Sequence, residues 1–202
     1  MSRPDATSTT GYSGQPAPAM NLLAMDDFVT RIRQLTVPAL DAEAVQRFLG
    51  GHLIEPASMA RYVRFEGGRY TRHLLFRDSA VELLVLCWPR GTHAPIHGHE
   101  GELCWARVER GRLRFTSYRE LSRSPLSLAP VGHPLEGGPG HLDGPANIHA
   151  VETVGEDAVS LHVYVKPYDE CDIYDLARGA VRRVRLGYDS VPDDSSRLGA
   201  AR

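Results

Sequence analysis

Residues 91–111 read GTHAPIHGHEGELCWARVERG, with His97 and His99 two positions apart, Cys104 following, and a glycine at each end. On an extended segment, side chains two residues apart point the same way. His97 and His99 therefore share one face of a sheet and can reach one metal ion. Zinc, iron, copper, nickel and manganese all accept such a pair, so the pair predicts a metal centre on a strand without naming the metal.

Outward from this stretch the chain is strand-like. After Pro56 the apolar period changes from helical to alternating, and short runs near 59–65, 69–76, 81–88, 103–110, 112–119, 148–153, 159–166 and 181–186 are separated by Gly, Pro or Asp. RFEGGRY and VERGRLR read as tight hairpins, turning at Gly67–Gly68 and at Gly111. Residues 121–145, rich in Ser, Pro and Gly, read as a long loop. So many short strands predict a closed barrel or sandwich whose interior can hold a ligand.

Before Pro56, two helices are expected. Phe28, Ile32 and Leu35 recur at helical spacing behind Asp26 and Asp27. Asp41 is the expected N-cap of a second helix with Val45, Phe48 and Leu49 as its apolar stripe, stopped at Gly50 and Gly51. The expected organisation is a tail at 1–20, lacking apolar pattern and read as disordered, one domain over 21–190, and a flexible C-terminal tail over 191–202.

Composition excludes several function classes. Lys and Arg total 23 against 25 Asp and Glu, a formal charge of -2, so nothing general attracts nucleic acid or an anionic membrane. The helices show no helix-turn-helix with a basic second helix. No apolar run approaches a bilayer span and no secretory signal is recognisable, so a cytoplasmic monomer is expected, with a small molecule as partner. Cys87, Cys104 and Cys171 are odd in number and widely spaced, which argues against a disulfide framework.

Two further strands carry polar stripes. In residues 160–165, SLHVYV, the side chains of Ser160, His162 and Tyr164 share one face and Leu161, Val163 and Val165 the other. That polar face lines a cavity if helices cover the apolar one, and faces water otherwise. Tyr70 and Arg72 likewise share a face, and a guanidinium is the natural two-pronged partner of a substrate carboxylate, although a lone Arg is more often a surface ion-pair partner.

The frame Gly91, five residues, His97, one, His99, four, Cys104, six, Gly111 resembles the first motif of the cupin superfamily, with Cys104 where cupins usually carry a glutamate ligand. His149 sits where the second cupin motif places its histidine, while His93, His133 and His141 compete for that role on sequence grounds. GRYTR (68–72), LCW (86–88), HGHEGELC (97–104), IHAVE (148–152) and SLHVY (160–164) together resemble the cysteine dioxygenase family of thiol dioxygenases, in the family's order and near its spacing. The resemblance spans roughly residues 60–175 and implies a mainly β, jelly-roll-like cupin-type barrel with short N-terminal helices.

It also implies roles. His97, His99 and His149 would bind a mononuclear non-haem Fe(II), leaving positions open for the thiolate and amine of cysteine and for O2. Arg72, with Tyr70 beside it, would hold the substrate carboxylate. Ser160 and His162 would orient Tyr164 towards substrate and oxygen, and Cys104 matches a cysteine that some members link to that tyrosine by a thioether. Gly98, Glu100 and Thr153 depart from the aspartate, threonine and asparagine of the animal enzymes. Cys171 has a counterpart near the rim of the site, and Cys87 reads as a small core residue. The implied reaction oxidises L-cysteine with O2 to cysteine sulfinate. The alternatives are a dioxygenase of 3-mercaptopropionate or another thiol acid, whose subgroup typically carries glutamine at the Arg72 position, and a cupin-like metal-binding sensor without turnover.

Overall fold

Alternating side chains make each strand two-faced; two antiparallel sheets stack to bury one face of each, and helices cover the other face of the first sheet. A computed structural model describes residues 21–37 and 39–192, so the tail expected over 1–20 and most of that expected over 191–202 lie outside the described residues. The N-terminal part runs β1 (Asn21–Leu23), α1 (Met25–Thr36), α2 (Ala42–Gly51), β2 (His52–Ile54), a short α3 (Pro56–Met59) and a 3-10 turn (Ala60–Tyr62). The barrel strands follow: β3 (Thr71–Arg77), β4 (Val81–Trp88), β5 (His93–Gly98), β6 (Cys104–Arg110), β7 (Leu113–Arg123), β8 (Leu126–Pro130), β9 (Leu135–Gly137), β10 (Leu142–Ala146), β11 (Ile148–Thr153), β12 (Ala158–Val165), β13 (Glu170–Asp175) and β14 (Ala180–Arg185).

The first large sheet has the order β10-β6-β12-β4-β3 and the second β14-β13-β5-β11-β7-β8, with β9 beside β7. Leu84, Leu86, Ala106 and Val108 from one sheet meet Ala94, Leu113, Phe115 and Val151 from the other, and this is the barrel interior. The opposite face of the first sheet, Leu83, Val85, Leu161 and Val163, packs against Phe28, Ile32, Val45 and Leu49 of the helices. The mainly β barrel with short N-terminal helices expected from the sequence is therefore the fold of the described residues.

Asp41 caps α2 as expected, accepting from the Ala44 N–H at 2.8 Å. A buried ion pair fastens the helices to the barrel. Arg107 pairs with Glu109 at 2.5 Å and also donates to the carbonyls of Leu49 and His52 at the end of α2, while Glu109 accepts from the Ile54 N–H.

Four expectations need correction. Residues 59–65 form no strand, because Pro56 opens a helix at a position where its missing N–H costs nothing. RFEGGRY is therefore a turn leading into β3 and not a hairpin. VERGRLR is also not a hairpin: β6 and β7 lie in different sheets, and Gly111, at φ +72, passes so close to Asp157 that a Cβ would sit 2.2 Å from its carbonyl oxygen. The 121–145 loop contains β8, β9 and most of β10, short strands whose Pro and Gly residues masked their alternation.

Candidate active site

β5 and β11 pair so that His97 lies directly opposite His149, and His99 follows one residue beyond the end of β5. The three ring centroids form a near-equilateral triangle with sides of 5.0, 4.8 and 4.8 Å, and one nitrogen from each ring lies within 4.8 Å of the others. A set with two rings on opposite sides of an ion would show one longer side, so the arrangement is facial.

The hydrogen bonds identify which nitrogens converge. The Nδ1 of His97 lies 2.9 Å from the Pro95 carbonyl, and the Nδ1 of His99 lies 3.1 and 3.0 Å from the carbonyls of Ala146 and Asn147. The Nδ1 of His149 is 3.1 Å from the Asp143 carboxylate. Each partner accepts, so each Nδ1 donates, and the Nε2 atoms are the ones left to face one another. The Nε2 atoms of His99 and His149 are buried with no hydrogen-bond partner. Buried polar atoms without partners are costly, and a shared metal ion explains both. Burial, reinforced by the neighbouring histidines, drives His97 down to about 3 and holds His99 well below the usual histidine range. Neutral imidazoles are the form that binds a metal.

Asp143 had no signal of its own in the sequence beyond an acid six residues before His149. The sheet supplies its role. Gly144 passes the β6 backbone at φ +115, where a Cβ would lie 2.4 Å from the Cys104 carbonyl, and β10 shifts register between Asp143 and Ala146. Asp143 then fixes the tautomer of His149 from behind.

The facing sheet brings Ser160, His162 and Tyr164 of β12 to the interior, all buried, so their polar stripe does not face water. The Trp88 indole N–H donates to the Ser160 hydroxyl at 2.8 Å, Ser160 lies 2.9 Å from the His162 Nε2, and the His162 Nδ1 lies 3.2 Å from the Tyr164 hydroxyl. An indole N–H can only donate. With Ser160 accepting there, its own proton is best satisfied by the His162 Nε2, so the His162 Nδ1–H points at the Tyr164 oxygen and leaves the phenol proton free for the cavity. Burial pushes the Tyr164 phenol well above the usual tyrosine range and the Cys104 thiol up as well, so both keep their protons near neutral pH. Cys104 lies directly opposite Tyr164 across the β6–β12 ladder.

Arg72 and Tyr164 meet across a gap, walled also by Glu82, Tyr168 and Leu186, that is too narrow for a water molecule. Tyr168 packs on Tyr164 with ring centroids 5.7 Å apart and also walls an open cleft of about 560 Å³ lined by Glu100, Lys166 and Arg183. Tyr70 stacks on Trp88 at 4.6 Å and, with Arg72, lines a second cleft of about 390 Å³. A C-terminal strap covers Arg72: Gly187 accepts from its Nε at 3.1 Å, Asp189 accepts from its backbone N–H at 2.7 Å, and Ser190 accepts from the Leu74 N–H at 2.9 Å.

Of the residues singled out in the sequence, the nine given a site role (Tyr70, Arg72, His97, His99, Cys104, His149, Ser160, His162 and Tyr164) lie in this one region. His93, His133 and His141 lie outside the three-histidine cluster. Cys87, Cys104 and Cys171 are free and buried.

Comparison with known proteins agrees with the sequence resemblance. The family model for cysteine dioxygenase type I matches residues 17–177. Cysteine dioxygenase type 1 of Rattus norvegicus is 30% identical over 162 residues, covering 75% of this chain and 78% of the rat protein. The human protein of the same name is 27% identical over 156 residues at the same coverages. Among solved structures, a cupin 2 conserved barrel domain protein from Leptotrichia buccalis is 18% identical, covers 54% of this chain and 47% of its own, and has a TM-score of 0.43.

Proposed function

This chain belongs to the cysteine dioxygenase type I family, and from that premise we propose that it is an Fe(II)-dependent dioxygenase that oxidises L-cysteine with O2 to cysteine sulfinate. The reaction balances as RSH + O2 → RSO2H, with both oxygen atoms ending on sulfur. The observation that carries the reading is the convergence of three histidine Nε2 atoms, two of them buried and unpartnered, with the Tyr164 ring 6.0 Å from that of His99 and Arg72 across a narrow gap from Tyr164.

In this reading His97, His99 and His149 hold the iron. The chemistry that Fe(II) supplies when bound is acidification of the thiol and electron exchange with O2. Arg72 binds the carboxylate end of the substrate, and Tyr70, stacked on Trp88, fixes the wall beside it. Tyr164 donates its hydroxyl proton to the reacting end, held by the chain from Trp88 through Ser160 and His162. Keeping that hydroxyl protonated is the contribution of burial, since a phenolate could only accept.

Fe(II)-loaded protein is expected to consume O2 and form a sulfinate with L-cysteine faster than with 3-mercaptopropionate or cysteamine. A faster reaction with another thiol would reassign the substrate, and no uptake with any of them would leave a metal-binding module without turnover.

The position of Cys104 opposite Tyr164 supports a thioether between them. Forming the S–C bond removes one hydrogen from the thiol and one from the ring, both passed to O2 as oxidant. Denaturing mass spectrometry after turnover should find the two peptides joined and lighter by two hydrogens. Peptides that stay separate would leave Cys104 a retained thiol.

A further inference from the structure

One buried group near the site has no part in the reaction as described. Glu82 is the only charged residue in β4, VELLVLCW, and is 3% exposed. It faces the barrel interior, opposite Tyr164 on β12 and Arg77 on β3. Arg77 reaches that face because β3 shifts register between Leu74 and Phe76. Without the bulge, residues 72 and 77 would point to opposite faces of the sheet. With it, two arginines flank one carboxylate. Tyr188 donates its hydroxyl proton to Glu82 at 2.9 Å, Arg77 lies at 3.2 Å, and Arg72 stands further off at 3.6 Å. Burial raises the carboxyl pKa of Glu82, and Tyr188 and the two arginines oppose that rise.

Arg72 is correspondingly divided. Of the five N–H groups of a guanidinium, the Nε–H goes to Gly187 and one Nη2–H faces Glu82. Three remain, enough for a two-pronged bond to a carboxylate. If Arg72 turns fully to a ligand, Glu82 is not stranded, because Arg77 and Tyr188 still hold it. Without a ligand, Glu82 balances the buried cation. Resting on the reading of Arg72 as the carboxylate site, we propose that Glu82 is a specificity-determining residue: a carboxylate of the protein that competes with the substrate's carboxylate for Arg72. It lowers the affinity for every acid and admits only those whose carboxylate can engage the free edge of the guanidinium.

The test uses the iron-loaded full chain and two variants that displace the competition in opposite directions. Glu82→Gln removes the competing charge but keeps an acceptor for Tyr188, and the KM for L-cysteine should fall about threefold to tenfold relative to that for cysteamine, which has no carboxylate. Tyr188→Phe removes the hydroxyl that holds Glu82 back, leaving it to its arginines, and the same KM ratio should rise about twofold to fivefold. An unchanged ratio in either variant, or a shift in the same direction in both, overturns the role. Should Glu82→Gln fail to fold, as judged by circular dichroism, Tyr188→Phe decides alone. The two readings fail differently: wild-type protein that oxidises no thiol sinks the dioxygenase assignment, whereas wild-type turnover with an unmoved KM ratio in the variants sinks only the role of Glu82.

Discussion

A protein with His99 replaced by alanine should retain no stoichiometric iron after desalting and should lose thiol-dependent oxygen uptake by more than about a hundredfold, the upper end of what disturbing a ligand's supporting partner alone does. The expectation follows from the tautomers. All three Nδ1 atoms already donate to acceptors, so each Nε2 has one free function, and two of three neutral ligands do not make the closed facial set. Stability offers a second readout. Metal that binds only the folded chain, at a hundred times its Kd, stabilises by about 2.7 kcal/mol, or about 5–10 °C in Tm for a domain of this size. Wild-type protein should show that rise on adding Fe(II) anaerobically, and the His99→Ala variant should not. The control is His141→Ala. Its Nε2 is also buried without a partner, but it lies outside the cluster, so iron content and Tm rise should survive. Loss of iron from both variants would dissolve the distinction between the three ligands and the remaining histidines.

The second large effect concerns Arg72. Arg72→Gln should raise the KM for L-cysteine about tenfold to a hundredfold, since a hydrogen bond to a charged group contributes about 1.5–3 kcal/mol and each 1.4 kcal/mol is a factor of ten. The KM for cysteamine should move little. Glutamine still reaches the Gly187 carbonyl, and Glu82 keeps Arg77 and Tyr188, so the substitution strands no buried charge. Steady-state oxygen uptake with both thiols decides the matter. Equal rises in KM would show that Arg72 supports the fold of the pocket and does not read the carboxylate.

Much that depended on short-range pattern was legible beforehand, although the turn signals at Gly67–Gly68 and Gly111 did not make hairpins. The pair His97 and His99, the polar stripe of β12 and the apolar run of β4 follow from strand periodicity, and the cap at Asp41 from local chemistry. What depended on register between distant strands was not. Asp143 sits among Gly and Pro residues and acquires a partner only when β10 pairs with β6. Strand β5 includes Pro95 and His93 and carries few apolar residues, so its strand character emerges from pairing with β11 and β13. Glu82 did leave a signal, because a single charge in an otherwise apolar strand needs a buried partner. Two of its partners, Arg77 and Tyr188, however, lie past a bulge and near the C-terminus, where no motif points.

The strap over residues 187–190 divides this site by origin. His97 and His149 belong to strands paired within the second sheet and His99 follows β5 directly, whereas the setting of Arg72 depends on a handful of residues added after the last strand. A chain shortened before Gly187 would keep all three histidines and lose the strap that holds Arg72. Chimaeras that exchange only this terminal segment should therefore change which acids are accepted while inheriting the metal centre intact, so that ligand choice is portable between such chains as a short C-terminal cassette.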